Sequence, residues 1–180
     1  MAKFKPAEKD AIAILKADHR QVEEWFEQFE KARDYERKQE LVTKICHALK
    51  IHTTIEEEIF YPAFLEASDD VDIHHEAQIE HRGAKNLIAE IEAASPDDEY
   101  FEPTVKVLSE MIKHHVKEEE KPGGMFSVAR EFKMDLVAIG KELAARKAEL
   151  ESGETDEPDM PPPGVGEKHG QVDQIMKETR

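Results

Sequence analysis

One stretch of the sequence decides the fold, and it reads His52-Thr53-Thr54-Ile55-Glu56-Glu57-Glu58-Ile59-Phe60-Tyr61-Pro62. On a helix, a histidine and a carboxylate four residues apart stack on the same face. Apolar residues continue that face in both directions at helical spacing, namely Leu41, Ile45, Leu49 and Ile59. His52 and Glu56 therefore occupy core positions, where a buried carboxylate needs a charged partner, hydrogen bonds or a metal ion.

The composition indicates one all-α domain. Of the 180 residues, 37% are charged and 8 are glycine, which favours helices over sheet in a chain long enough to bury a sizeable core. The predicted fold is an up-down four-helix bundle with an additional C-terminal helix. We expect this bundle to occupy residues 1–150. Residues 151–180 are rich in proline and glycine and are expected to form a flexible tail.

Charge and apolar content limit the partners and the compartment. The formal net charge of −16 repels phosphate backbones and anionic lipids, so nucleic acid and membranes are not expected as partners. The first residues lack the apolar run of a signal peptide, and no segment approaches the ~20 apolar residues of a membrane span. We therefore expect a cytoplasmic protein. Its single cysteine, Cys46, is expected in the core, which leaves histidine and carboxylate side chains to bind a metal.

Apolar residues recur at steps of three and four over five segments, which predicts five helices. Pro6 marks the start of the first helix, and Pro62 must end or bend the second. The Lys121-Pro122-Gly123-Gly124 segment interrupts the chain after the fourth helix, and the fifth is expected to pack Phe132 against the bundle. The expected bounds of the helices are residues 7–32, 36–65, 71–95, 101–119 and 125–150.

Each of the first four helices places a histidine on its inward face, and two of them add a carboxylate one turn later. Side chains that converge from facing helices into a bundle core can hold a dinuclear metal site, which the two carboxylates can bridge. If these groups were only structural, two buried carboxylates would lack an inward lysine or arginine. The predicted ligands are His19, His52, Glu56, His81, His115 and Glu119. Nitrogen and oxygen ligands suit iron, manganese or zinc.

Other histidines and acidic residues compete less well for the site. His114 and Glu118 also have the four-residue spacing, but the apolar stripe of the fourth helix favours His115 and Glu119. On the third helix the predicted inward stripe is Val71, His74, Gln78, His81, Ala84, Ile88 and Ile91. His74 lies two turns from His81, about 10 Å along the axis, which is too far to share an ion. The remaining neighbours are expected at the surface: Asp18, His47, His75, His169 and the other members of the acidic runs 56–58 and 118–120.

These motifs resemble the hemerythrin-like HHE cation-binding family. The resemblance covers about residues 8–150, and it is carried by Asp18-His19, His52-x-x-x-Glu56 with Phe60-Tyr61-Pro62, Glu80-His81 with Lys85 and Leu87-Ile88, and His115-Val116-x-x-Glu119. It implies an up-down bundle with a non-haem di-iron centre. It would place His19 and His52 on one iron, His81 and His115 on the other, with Glu56 and Glu119 as bridges.

The chain departs from this family at two places. Oxygen-carrying hemerythrins have a second histidine four residues before the one on the third helix, and that position here is Ala77. One iron would then lack a ligand. The family usually continues into a short Phe-Pro corner where this chain has Lys121-Pro122-Gly123-Gly124, and this difference is expected to alter access near Glu119.

The residues favour a class of function without choosing one reaction. Two divalent ions and two carboxylates in a dry core favour an oxide or hydroxide bridge and leave open positions for dioxygen, nitric oxide or peroxide. Such a centre could serve in sensing, storage, iron handling or stress response, and enzyme activity stays open. One alternative is a dinuclear hydrolase with zinc or manganese. Another is a metal-stabilised interaction protein whose acidic tail binds a partner.

Overall fold

The computed structural model describes residues 9–95 and 97–153, and the regular structure in these ranges is helical. The four long helices of the bundle are α1 (Ala11–Lys31), α2 (Tyr35–Ile55), α4 (Val71–Ala93) and α5 (Phe101–Glu120). A π-helical turn (Glu56–Phe60) and α3 (Tyr61–Ser68) extend α2. After α5 come α6 (Met125–Glu131) and α7 (Leu136–Ser152). The predicted all-α bundle is confirmed.

The bundle has two hydrophobic clusters with a polar layer between them. α1 packs on α2 and α4 packs on α5, while α7 crosses α1 and α2. One cluster contains Val22, Leu49 and Ala84, and the other contains Leu15, Ile55 and Ala77. On α1, α2 and α4 the inward histidine lies between a residue of one cluster and a residue of the other. The polar layer therefore lies inside the core, between the two hydrophobic clusters, and not at the surface.

The second predicted helix runs further than expected and changes its winding. At the end of the π-helical turn, the backbone N–H of Tyr61 donates to the carbonyl of Glu56, five residues earlier. Pro62 then lies in the first turn of α3, directly after the π-helical turn, so the proline bends the winding of the helix and does not end it. The chain ends its helix at Ser68, past the predicted Leu65, with Asp69 in the left-handed conformation.

The predicted fifth helix is wrong as a single element, because it is broken between Phe132 and Asp135. Lys133 has φ 54°, a left-handed conformation that a continuing helix excludes. Asp135 then caps α7 by accepting from the N–H of Ala138. Phe132 is 50% exposed, so its predicted packing against the bundle is also wrong.

α7 nevertheless packs closely on the bundle, and Gly140 makes this possible. A Cβ atom at this position would lie 2.7 Å from the carbonyl oxygen of Lys9 and 2.8 Å from the backbone nitrogen of Ala11. Only glycine lets the backbone of α7 approach the start of α1 this closely. The final helix therefore lies on the first turn of the first helix.

The ends of two other helices differ from the expected ones in detail. α1 begins at Ala11 and is capped by Asp10, whose side chain accepts from the N–H of Ala13. Pro6 and Ala7 lie outside the described residues, as do residues 154–180 of the predicted tail. On α4, Val71 and Gln78 are exposed and not part of the inward stripe, and Ala77 is buried instead. None of the helices that the structure describes combines the length and apolar character of a membrane span.

Candidate metal centre

The structure brings the first three predicted ligands together in the polar layer. Nε2 of His19 lies 3.1 Å from Nε2 of His52. Nε2 of His52 lies 3.1 Å from Oε2 of Glu56, one turn later on the same helix. All three side chains are buried, and their ligand atoms lie within 4.8 Å of one another. This group, which we call the first triad, could hold one metal ion.

A second triad shares Glu56 with the first. Oε2 of Glu56 lies 3.3 Å from Nε2 of His81, which in turn lies 3.2 Å from Nε2 of His115. The ligand atoms of these three side chains also lie within 4.8 Å of one another, close enough to share an ion. One carboxylate oxygen therefore faces histidines from both triads. This arrangement suits a carboxylate that bridges two cations.

Glu119 lies across both triads from the opposite side of the bundle. Its Oε2 is 3.5 Å from Nε2 of His19, and its Oε1 is 3.6 Å from Nε2 of His115. The neighbouring His114 is 60% exposed and points away from the layer. The register predicted for the fourth helix, with His115 and Glu119 inward, therefore agrees with the structure.

The donor set fits a pair of cations. Oε1 of Glu56 and Oε2 of Glu119 are buried oxygen atoms without a hydrogen-bond partner among the described residues. Such oxygens cost free energy unless a cation or a donor meets them. The four histidines also line a small cavity of about 10 Å³ on the side of the layer that faces Val22 and Leu49. This volume suits an ion or a single water better than an organic ligand.

The buried carboxylates and histidines of the polar layer shift one another's pKa values. Burial, together with the nearby charge of Glu56, raises the pKa of Glu119 to about 8. Burial opposes protonation of His52, but Glu56 and Asp18 outweigh it and raise the pKa of His52 to about 10. In contrast, burial lowers the pKa of His19 to about 4. Metal binding must therefore displace protons from Glu119 and His52.

A ring of carboxylates supports the histidines from behind. Each Nδ1 atom faces a carboxylate oxygen from a neighbouring helix, and the carboxylate always belongs to a residue adjacent in sequence to a predicted ligand. Three pairs are within hydrogen-bond distance: Glu57 with His81 at 3.0 Å, Glu80 with His115 at 2.7 Å, and Glu120 with His19 at 2.9 Å. The fourth pair, Asp18 with His52 at 3.6 Å, is a longer ion-pair contact without a hydrogen bond. Carboxylates behind metal-bound histidines fix the ring orientation and raise its basicity.

This ring corrects the sequence interpretation of three acidic residues. Asp18, Glu57 and Glu120 were expected at the surface, yet each reaches across to a histidine of another helix. Glu80, which the sequence argument did not assign to the site, does the same. The periodicity of a single helix correctly places these residues off its inward face. It cannot show which side chains of an adjacent helix lie beside them.

Basic side chains hold the carboxylate ring from outside. Glu120 lies 2.6 Å from Arg20, Glu57 lies 2.6 Å from Lys85, and the Asp18 carboxylate lies 2.5 Å from Lys147 of α7. The Lys147 contact connects the C-terminal helix to the metal site through Asp18 and His52.

Tyr61 is a further site residue that sequence reasoning missed. Its hydroxyl lies 3.0 Å from Nε2 of His81, 3.2 Å from Oε1 of Glu119 and 3.5 Å from Oε2 of Glu56. Burial and the nearby carboxylates raise its pKa well above 10, so it remains a hydrogen-bond donor. The ring of His74 packs edge-on against Tyr61 at 6.0 Å. His74, which was predicted to be too distant to share an ion with His81, packs on the tyrosine.

Comparisons with known proteins identify the family. Residues 10–122 match the family model of the Hemerythrin HHE cation binding domain. A protein of Nostoc sp. (strain PCC 7120) named DNA nickase is 29% identical over 110 residues, which is 59% of this chain and 30% of that protein. The chain thus matches less than a third of that relative's length.

The fold is also found in a crystal structure of a hemerythrin HHE cation binding domain-containing protein from Mycobacterium kansasii. The TM-score is 0.69 and the identity is 23%, with 81% of this chain and 89% of that one covered. This likeness supports the fold, and the family match covers more than half of the chain. The chain therefore belongs to the hemerythrin HHE cation-binding domain family.

Proposed function

We propose that this protein holds two iron ions in the polar layer and uses them to bind dioxygen, nitric oxide or peroxide. The observation that carries the proposal is the position of Glu56, whose Oε2 faces His52 of the first triad and His81 of the second. His19 and His52 would hold one ion, and His81 and His115 the other. Glu56 and Glu119 would bridge the two.

The donor set admits iron, and the family resemblance favours it. Imidazole nitrogens with carboxylate oxygens suit iron, manganese or zinc, and the resemblance to di-iron proteins makes manganese and zinc the less favoured occupants. Cys46, whose thiol has its pKa raised to about 12 by burial, lies in a hydrophobic cluster away from the triads. Two divalent ions would leave a net positive charge beside two carboxylates, which favours an oxide or hydroxide bridge. Iron would supply open coordination positions and redox chemistry.

The residues around the site support a ligand-binding role. Ala77 is buried one turn before His81 and offers no ligand atom, so an ion held by His81 and His115 would have one protein ligand fewer there. The Tyr61 hydroxyl lies on the same side of the centre, 3.0 Å from Nε2 of His81. There it could donate a hydrogen bond to a small oxygen-containing ligand. Such a donor stabilises negative charge that develops on the bound ligand.

Metal analysis and an absorption spectrum of full-length protein purified without chelators test the proposal. We expect about two iron ions per chain and a near-ultraviolet absorption that changes on reduction. Glu56→Ala should lose both ions because both triads share this side chain. His114→Ala serves as the control and should keep both. Colourless zinc-loaded protein, or a Glu56→Ala variant with full iron content, would overturn the proposal.

A second candidate is a dinuclear hydrolase, which the name of the Nostoc relative favours. That relative is matched over only 30% of its length, so the match does not assign its named activity to the shared part. The net charge of −16 also repels a DNA backbone. We therefore propose that nucleic acid is not the substrate. Nicking of supercoiled plasmid by the full-length chain with manganese or zinc, abolished in Glu56→Ala, would instead establish the hydrolase.

A further inference from the structure

A cleft connects the protein surface to the buried Glu119. It lies between α4, the end of α5 and the segment 121–124, and it has a volume of about 110 Å³. Ala77 and Glu119 form its buried end, and Glu76, Lys121 and Gly123 lie at its exposed mouth. We call it the acidic cleft. The larger grooves beside Trp25 and Ser109 contain none of the predicted ligands.

Acidic side chains outnumber basic ones in the acidic cleft. Among the described residues its lining includes the four acidic side chains of Glu76, Glu80, Glu118 and Glu119, with Lys121 as the single basic one. Lys121 forms an ion pair with Glu118, which neutralises one carboxylate at the mouth. A narrow cleft lined by one sign of charge concentrates ions of the opposite sign and speeds their association. The acidic cleft therefore attracts cations and repels anions.

The buried end of the acidic cleft points to a ligand as well. Glu119 is 2% exposed, and its Oε2 atom has no hydrogen-bond partner among the described residues. The same oxygen lies 3.5 Å from Nε2 of His19 in the first triad. A cation that passes along the cleft thus reaches the side chain of Glu119, a predicted ligand of the metal centre. The shape of the cleft follows from its loop, because a Cβ atom on Gly124 would lie 2.1 Å from the carbonyl oxygen of Glu118.

We propose that the acidic cleft is the route by which divalent cations reach the metal centre, with Glu76 and Glu118 attracting the ion and Lys121 restraining its passage. The inference rests on the proposed function and adds how the site is filled. Glu76 acts as an outer attractor on α4. Glu118 acts at the mouth, where its ion pair with Lys121 sets the local charge. Glu80 is committed to His115 and is not part of the transfer.

Stopped-flow mixing of the full-length, metal-free chain with Co²⁺ measures this route, since bound Co²⁺ absorbs in the visible range. At low ionic strength we expect Glu76→Gln and Glu118→Gln each to slow uptake about two- to fivefold, because each removes a charge that steers the cation. Lys121→Met should accelerate uptake, since it removes the opposing charge. The differences should shrink in 0.5 M salt. The final amount of bound Co²⁺ should stay unchanged in all three variants.

Glu90→Gln is the matched control, because it removes one exposed carboxylate from the same helix, 14 residues and about 21 Å from Glu76. It should leave the rate near wild type. Uptake by Glu76→Gln equal to that of Glu90→Gln, or slower uptake by Lys121→Met, would overturn the route. If Glu118→Gln changes the final Co²⁺ spectrum, Glu76→Gln decides alone. A wild-type chain that binds no metal would instead overturn the proposed function itself.

Discussion

Nδ1 of His115 donates to the Glu80 carboxylate over 2.7 Å, and this bond turns Nε2 of the ring toward the second triad. Glu80→Gln replaces an acceptor that is charged with one that is neutral and weaker. We predict that the ion held by His81 and His115 then binds about 10- to 100-fold more weakly, as is typical when the partner behind a histidine ligand is changed.

Competition with a metal-binding dye measures this loss for each of the two ions. The ion of the first triad should be less affected, because Glu120 and not Glu80 supports His19. Glu110→Gln removes an exposed carboxylate from α5 and should leave both affinities unchanged. Equal weakening of both ions would show that Glu80 stabilises the bundle as a whole.

The adjacent histidines of α5 should differ sharply on mutation. His115→Ala removes a ligand of the second triad and should leave the chain with about one tightly bound ion or a scrambled site. His114→Ala should keep metal content near wild type, because this side chain is 60% exposed. The same reasoning places Glu119→Ala in the damaging class and Glu118→Ala in the mild one.

Metal analysis of the four single variants decides this prediction. Loss of iron from His114→Ala and Glu118→Ala, with retention in the other pair, would contradict the conclusion that His115 and Glu119 point inward on α5. Because neighbouring positions on a helix differ by about 100°, the two pairs cannot both point inward.

The sequence predicted the four ligand-bearing helices because each histidine interrupts an apolar stripe at a core position. His19, for example, lies four residues after Leu15 and three before Val22, and all three are buried. The carboxylate ring was not predictable in this way. Asp18 supports a histidine of the next helix, and helical periodicity describes one helix at a time.

Tyr61 escaped prediction because of the π-helical turn. In an α-helix a residue five positions after Glu56 lies about 140° away from it around the axis, and so off the inward face. The N–H of Tyr61 instead donates to the carbonyl of Glu56, which is the π-helical bond. The wider turn brings the tyrosine back toward Glu56. The break of the last helix at Lys133 was also missed. Residues in the left-handed conformation are usually glycine or asparagine, and a lysine at this position does not predict one.

After the metal is removed, the free energy of unfolding should fall as the pH rises from 6.5 to 8. In the folded, metal-free chain Glu119 has a pKa of about 8, whereas its ordinary value is 4.5. Over this range the folded state holds a proton that the unfolded state has lost, so stability falls with rising pH. His52, with a folded pKa of about 10 against an ordinary 6.5, acts in the same direction.

Thermal melting of chelator-treated protein at several pH values measures this dependence. Glu119→Gln should reduce the slope between pH 6.5 and 8 and leave the part due to His52. His19 acts in the opposite direction below pH 6.5. Its pKa is about 4 in the folded state and 6.5 ordinarily, so the unfolded state gains a proton first and stability is lost as the pH falls. The metal-loaded protein should melt higher than the chelated one, since the ions bind only the folded site. Equal melting temperatures with and without metal would contradict the proposed link between site and fold.

Truncation after Ser152 should leave metal content and helicity intact. Contacts that connect α7 to the rest of the described chain lie before this point, among them Lys147 with Asp18 and Arg146 with Glu58. This tests the predicted boundary of the bundle near residue 150. Circular dichroism and metal analysis of the truncated chain provide the measurement. Loss of metal would show that residues 154–180 cover or complete the site.

Tyr61→Phe should separate ligand binding from metal binding. The variant keeps the aromatic ring that packs against Phe60 and His74, at centroid distances of 6.5 and 6.0 Å. It removes the hydroxyl that lies 3.0 Å from Nε2 of His81. We predict full iron content with nitric oxide bound about 2- to 10-fold more weakly, which corresponds to the loss of one hydrogen bond. Tyr100→Phe, at a position that is 69% exposed, is the control and should change neither quantity. An unchanged nitric oxide affinity in Tyr61→Phe would limit this tyrosine to packing the core, while a loss of iron would show that its hydroxyl holds the second triad in place.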